Sequence, residues 1–203
     1  MRVLIACEFS GIVRNAFVER GHDAMSCDLL ASELERPDGW DGHYRGNVLE
    51  LLADRSYEFD LMIAFPPCTY LANSGVRWLK DNPARYALMI QASEFFNNLL
   101  GESLFSAAYQ IPRVAVENPI QHCYARDRVR KPDQVIQPWQ FGHPETKATC
   151  LWLKNLPPLQ PTQIVSGRTP RVHYESPGPD RWKRRSRTLT GIASAMADQW
   201  GRL

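Results

Sequence analysis

Phe59-Asp60-Leu61-Met62-Ile63-Ala64-Phe65-Pro66-Pro67-Cys68 is the stretch that decides the fold. A short, unbroken apolar run suits a strand covered on both faces, as in the middle of a parallel sheet. The two prolines cannot donate to a sheet ladder, so pairing is expected to stop there. In open α/β sheets ligands sit beyond the carboxyl ends of the strands. Cys68 therefore arrives at the edge where chemistry is expected, either as a nucleophile or as an inert small core side chain.

The flanking segments extend this picture. Arg2 to Cys7 reads as a first strand, and Glu8-Phe9-Ser10-Gly11 as a turn. Residues 12 to 20 carry apolar side chains at 12, 13, 16 and 17, one face of a helix that Gly21 ends. Asp23 to Cys27 is a second strand, closed by Asp28. This βαβ unit offers a glycine turn, an electropositive helix end and an acid placed to accept hydrogen bonds from a ribose diol. A single glycine does not make a phosphate cradle, which favours a nucleoside-like ligand over a dinucleotide. Residues 30–45 read as a polar connection containing Pro37, Gly39 and Gly42, followed by a short helical piece at 49–54. Pro83 to Leu100 is the longest helical pattern, and Gly101 caps it. Ile111 to Val116 is predicted as a strand ending in Glu117-Asn118-Pro119, the second strand that stops at a polar group before proline. Both ends should share one sheet edge.

Beyond residue 120 the texture changes. Pro138 to Pro144 is turn-rich and aromatic, residues 148–153 read as a strand, and residues 157–182 hold six of the fifteen prolines with no clear period. Residues 182–187 are basic, and Thr190 to Trp200 returns to helix. The expected organisation is one domain. Residues 1–120 form its core, 121–188 a basic irregular substrate-binding segment and 189–203 a closing helix.

Composition narrows the class. A chain of 203 residues with 44% hydrophobic content should build one ordinary globular core. No apolar run approaches the ~20 residues of a membrane span. The start lacks the pattern of a secretory signal. Five cysteines, at 7, 27, 68, 123 and 150, form no Cys-x-x-Cys pair, so neither a local zinc site nor a disulfide framework is expected. Reduced thiols and a cytoplasmic protein, monomeric and without metal, follow as expectations. Residues 1–120 carry 10 Lys/Arg against 16 Asp/Glu, a balance of −6, whereas residues 121–203 carry 14 against 6, a balance of +8. A basic second half is what a polyanion surface needs, and nucleic acid is the expected partner.

In this order the signals resemble the DNA (cytosine-5) methyltransferases. Phe9-Ser10-Gly11-Ile12-Val13 keeps the Phe and first Gly of that family's first-turn motif and lacks the second Gly. Asp28 stands where an acid ends the second strand, and Asn47 where an Asp ends the third. Pro66-Pro67-Cys68 matches the Pro-Cys nucleophile motif, with Thr69 in place of Gln. Glu117-Asn118 matches Glu-Asn-Val, with Pro119 for Val. Gln140 through Lys147-Ala148-Thr149 is a looser counterpart of the Gln-x-Arg-x-Arg strand and lacks its arginines. Thr190-Gly191-Ile192-Ala193 is similar to the closing helix. Only ~30 residues separate the 148–153 strand from that helix, the length of a long functional loop rather than of a target-recognition domain. A small, phage-like member is the implied subtype.

The resemblance implies a Rossmann-like methyltransferase fold of the α/β class, with a mostly parallel central sheet flanked by helices. It implies S-adenosylmethionine held by Phe9, Ser10, Gly11, Asp28, Asn47 and Pro66. Cys68 would add to carbon 6 of cytosine in DNA, and Glu117 would hold a proton against ring nitrogen 3. Pro67, Asn118, Lys147, Arg184 and Arg185 would meet substrate. Arg77 or a cluster of backbone N–H groups would lower the Cys68 pKa. Trp139, Phe141 and Trp152 are candidates to stack on an extruded base, although aromatic residues at such spacing more often belong to a core. Two other readings stand beside this one. One is a methyltransferase-like nucleic-acid-binding protein without the chemistry, and the other is an enzyme modifying pyrimidines in RNA or nucleotides, including by another one-carbon transfer.

Overall fold

The computed structural model describes residues 1–36, 42–54, 56–79 and 81–203. Pro37 and Gly39 of the polar connection lie outside them. Seven strands form one sheet: β1 Arg2–Ala6, β2 Asp23–Asp28, β3 His43–Arg45, β4 Leu61–Ala64, β5 Arg113–Pro119, β6 Gln134–Ile136 and β7 Thr149–Lys154. Their order is β3-β2-β1-β4-β5-β7-β6. All neighbours run parallel except β7, which is antiparallel to both β5 and β6. The chain thus has the mostly parallel Rossmann-like sheet expected from its sequence.

Helices cover both faces, which explains why β4 is apolar at every position and fully buried. Alternate side chains go to opposite sides. Leu4, Ala6, Met62, Ala64, Val114 and Val116 pack with α2 (Val48–Ala53) and α3 (Pro83–Leu100). Val3, Ile5, Leu61, Ile63 and Ala115 pack with α1 (Ile12–Val18) and α6 (Thr190–Trp200). Arg20 clasps Asp198 of α6 through two 2.8 Å hydrogen bonds. A four-residue helix, α4 (Cys123–Arg126), and a six-residue one, α5 (Arg181–Ser186), complete the set.

Three differences from the sequence reading have physical causes. The polar connection contains β3, whose three residues pair with Ser26, Cys27 and Asp28. The strand predicted to end at Val116 runs on to Pro119, because β7 pairs with it from Val114 through Pro119. Residues 134–136, which the sequence left unassigned, form β6 on the outer side of β7, the strand expected at 148–153. Two of the three candidate stacking aromatics build core: Phe141 and Trp152 are buried and closed to stacking, while Arg168 lies 4.0 Å over the ring of the half-buried Trp139.

Trp152 is the largest of these plugs. Its ring meets Phe96 edge-on with centroids 4.9 Å apart, and its Nε1 donates to the Arg130 carbonyl at 2.7 Å. Trp152→Ala would leave a cavity and a stranded carbonyl. We expect a loss of about 3–5 kcal/mol in urea unfolding.

Candidate active site

The sheet order reverses between β1 and β4, and a cleft opens at the carboxyl ends of these strands, the switch point where open α/β sheets bind ligands. Its cavity volume is about 120 Å³, smaller than the roughly 300–1,000 Å³ usual for ligand sites. Three layers of chain form its walls: residues 7–10 after β1, residues 65–68 after β4, and residues 117–119 at the end of β5. Lys147 and residues 185–188 close the remaining sides.

The first wall is set by a strained turn. Cys7 has φ 58°, a left-handed conformation that costs a β-carbon-bearing residue roughly 1–3 kcal/mol. The next residue, Glu8, is buried and turns its carboxylate onto the start of α1. It accepts from Val13 N at 2.7 Å, Arg14 N at 3.2 Å and the Ser10 hydroxyl at 3.0 Å. A buried carboxylate thus satisfies the helix N-terminus that sequence alone left open to a ligand. Burial pushes its pKa up, and the two backbone N–H donors oppose that.

The second wall is held by Asn118. Its Nδ2 donates to the Pro66 carbonyl at 2.9 Å, tying the end of β5 to the proline turn. Its Oδ1 is buried and has no partner among the described residues. The Cys68 carbonyl accepts from Leu71 N at 3.0 Å and Ala72 N at 2.9 Å, so the backbone turns sharply after the thiol.

Cys68, Glu117 and Lys147 meet in this cleft. Burial raises the Cys68 pKa, and the Glu117 charge raises it further; Lys147 and Arg185 pull it down. Burial likewise raises Glu117, against Lys147 and the Thr149 side chain. The expectation that Arg77 activates Cys68 is corrected: its guanidinium lies 4.7 Å over the Trp78 ring, and the cations acting on the thiol are Lys147 and Arg185. Lys147 is aimed by neighbours the sequence reading passed over. Its backbone N donates to Gln137 Oε1 at 3.1 Å, and the Gln137 backbone N donates to Gln140 Oε1 at 2.7 Å. With Lys147 replaced by Met, the thiol should ionise at higher pH, so alkylation of Cys68 by iodoacetamide near neutral pH should slow. A pH–rate profile checks the direction of that shift.

The roof is α5 and the residues after it. Trp182 packs on Phe9 with ring centroids 5.9 Å apart, and Arg187 grips Glu33 through two 2.8 Å hydrogen bonds. Phe9, Ser10, Pro66, Pro67, Asn118, Lys147 and Arg185 all line the cleft. Gly11, Asp28, Asn47 and Arg184 do not. Gly11 sits at φ 73°, where a Cβ would lie 2.8 Å from Arg14 and 3.1 Å from Leu34. The chain itself fills that space. The Arg14 guanidinium donates to the Leu34 carbonyl, and Glu33 N donates to the Phe9 carbonyl at 2.8 Å. Asn47 caps α2 by accepting from Leu49 N at 3.0 Å. Arg184 is paired with Glu175. Asp28 ends β2 beside the first wall, its Oδ1 accepting from Leu30 N at 2.9 Å and its charge felt at Cys7. Among the described residues there is no cluster of three or more His, Cys, Asp or Glu side chains placed for a metal, and no helix long and apolar enough to cross a membrane.

No protein-family model matches the chain, and no curated protein matches it. Solved structures do. One is a candidate DNA modification methyltransferase encoded within an E. coli prophage, at 13% identity and TM-score 0.48, covering 87% of this chain and 55% of that one. Another is the Entamoeba histolytica methyltransferase EhMeth, at 12% identity and TM-score 0.45, covering 88% and 60%. A third is a mutant of Spodoptera frugiperda DNMT2, at 14% identity and TM-score 0.42, covering 81% and 54%. The chain spans a little over half the length of each.

Proposed function

We propose that the chain transfers a methyl group from S-adenosylmethionine to carbon 5 of cytosine in DNA, with Cys68 as nucleophile and Glu117 as proton donor. The observation that carries this reading is the meeting of Cys68, Glu117 and Lys147 in one cleft at the sheet's switch point.

The residues fit the cofactor in part. Asp28 is half-buried with a carboxylate oxygen beyond the one that Leu30 N uses, suited to a ribose diol. Phe9, Ser10 and Pro66 line the cleft together with Cys68. Gly11 and Asn47 serve the chain's own packing and capping instead. S-adenosylmethionine bound there would supply the electrophilic methyl group.

The chain's own steps then balance. The Cys68 sulfur bonds to carbon 6. The ring's 5,6 electron pair shifts toward ring nitrogen 3, which takes a proton from Glu117, and carbon 5 becomes nucleophilic. After carbon 5 is substituted its proton passes to water, the carbon–sulfur bond breaks to release the Cys68 thiolate, and the nitrogen proton returns to Glu117. Burial raises the Glu117 pKa, the direction that suits a proton donor. Lys147 favours the thiolate over the thiol. The test is incubation with tritiated S-adenosylmethionine and duplex or single-stranded DNA, followed by mass spectrometry for 5-methylcytosine. Transfer unaffected by Cys68→Ala would overturn the assignment.

The reading of a nucleic-acid-binding protein without this chemistry is favoured by one feature, the closure of the Gly11 turn by Arg14 and Leu34. Calorimetry separates the two: micromolar binding of S-adenosylmethionine excludes a purely binding role.

A further inference from the structure

The cleft contains a cation that the proposed chemistry leaves unused. Five residues of the 181–187 run are basic, and four are engaged: Arg181 donates to the Glu175 and His173 carbonyls, Lys183 pairs with Asp180, Arg184 with Glu175 and Arg187 with Glu33. Arg185 is the exception. It lines the cleft, its Nε is buried without an acceptor, and among the described residues its guanidinium has neither a hydrogen-bond nor a carboxylate partner. A guanidinium held this way carries an unspent fork of donors, the geometry that grips phosphate oxygens in pairs.

The charge around it agrees. Of the two carboxylates in the cleft, Glu8 is already satisfied by three donors, and Glu117 faces Lys147, whose charge acts on it. Arg185 belongs to α5, the roof of the cleft that Cys68 and Glu117 line, where a sugar-bound phosphate would follow a base seated at those two residues. The roof itself is fixed to the cleft's first wall by Trp182 on Phe9 and by Arg187 on Glu33.

We propose that Arg185 holds the phosphate attached to the nucleotide whose base reaches Cys68, so that the cleft takes a cytosine with its phosphate rather than the bare base or nucleoside. This rests on the cytosine reading for the base, but the phosphate grip is separately measurable. The phosphate can come from a free nucleotide or from a single strand, and the probes distinguish the two. Binding of deoxycytidine, dCMP and a short single-stranded oligonucleotide with one internal cytosine is measured by calorimetry on the full chain, alongside Arg185→Ala, Arg185→Lys and a remote charge control, Arg202→Ala.

In the unaltered protein a phosphorylated probe should bind roughly 10- to 100-fold more tightly than deoxycytidine, the range for one charge-assisted pair. Arg185→Ala should erase that advantage and leave deoxycytidine binding unchanged. Arg185→Lys should restore part of it, and Arg202→Ala should keep it. An advantage for dCMP identifies a free nucleotide, and one confined to the oligonucleotide identifies a strand phosphate. No phosphate advantage, or equal weakening of all three probes by Arg185→Ala, overturns the proposal. Absence of methyl transfer with the Arg185-dependent preference intact would instead reject the methylation reading alone. Because the guanidinium has no internal partner, its removal should leave the melting temperature unchanged, which checks that the variant folds.

Discussion

Cys68→Ala should lower methyl transfer by roughly 10³-fold or more while the protein stays folded. The size of the loss follows from the chemistry. Carbon 5 of cytosine is a poor nucleophile until sulfur is bonded to carbon 6, and no other side chain in the cleft can replace a thiolate there. Cys7 shares the cleft, but burial and the Asp28 charge both push its thiol away from ionisation. The fold should survive because the tight turn after Pro67 is held by the Cys68 carbonyl, through Leu71 N and Ala72 N, not by its sulfur. Tritium transfer into DNA, run beside thermal unfolding of the same preparation, separates loss of chemistry from loss of structure. Transfer within tenfold of the unaltered protein would exclude Cys68 as the nucleophile.

Much of the frame was legible because burial on two faces leaves an unmistakable trace. Leu61–Ala64 has no polar position, so nothing but a covered central strand accounts for it. Pro83–Leu100 was readable end to end, with Asn82 capping its start by accepting from Arg85 N and Gly101 closing it at φ 70°. The edge strands were not. His43–Arg45 and Gln134–Ile136 are three residues each, too short to show a period, and what makes them strands is the partner they meet rather than any pattern of their own.

The site divides in the same way. Cys68 and Glu117 stand at strand ends marked by proline, a local signal. That Lys147 reaches both could not be read locally, because it depends on the antiparallel pairing of β7 with β5, which sets Thr149 opposite Pro119 and Leu151 opposite Glu117. The glutamine pair that aims Lys147 was equally hidden, as hydrogen bonds between residues 137, 140 and 147 follow no periodicity. The Gly11 turn misled for a related reason. A glycine before a helix suggests space for a ligand, and only the folded chain reveals that Leu34 and Arg14 occupy it.

Glu117→Gln should reduce methyl transfer by roughly 10²–10⁴-fold, the range for a positioned general acid, and at the same time make Cys68 more reactive toward alkylating reagents. The two effects have opposite signs because Glu117 acts twice. As a proton donor it allows electrons from carbon 6 attack to settle on ring nitrogen 3, a role an amide cannot fill. As a negative charge beside the thiol it raises the Cys68 pKa, so removing it lowers that pKa and enlarges the thiolate fraction at neutral pH. A proton moved from the Cys68 sulfur to the Glu117 carboxyl would supply both groups in the state the reaction needs, and burial, which raises both pKa values, leaves Lys147 and, more weakly, Arg185 as the cations that favour the thiolate. A purely structural glutamate predicts something else: its replacement would slow catalysis and leave alkylation unchanged, or would melt the protein and expose every thiol. Measuring methyl transfer and iodoacetamide labelling on one Glu117→Gln preparation, with the labelled cysteine identified by peptide mass, therefore tests the pairing itself. Slower transfer together with faster labelling at Cys68 is the expected result, and slower labelling at that residue would break the link between the two side chains.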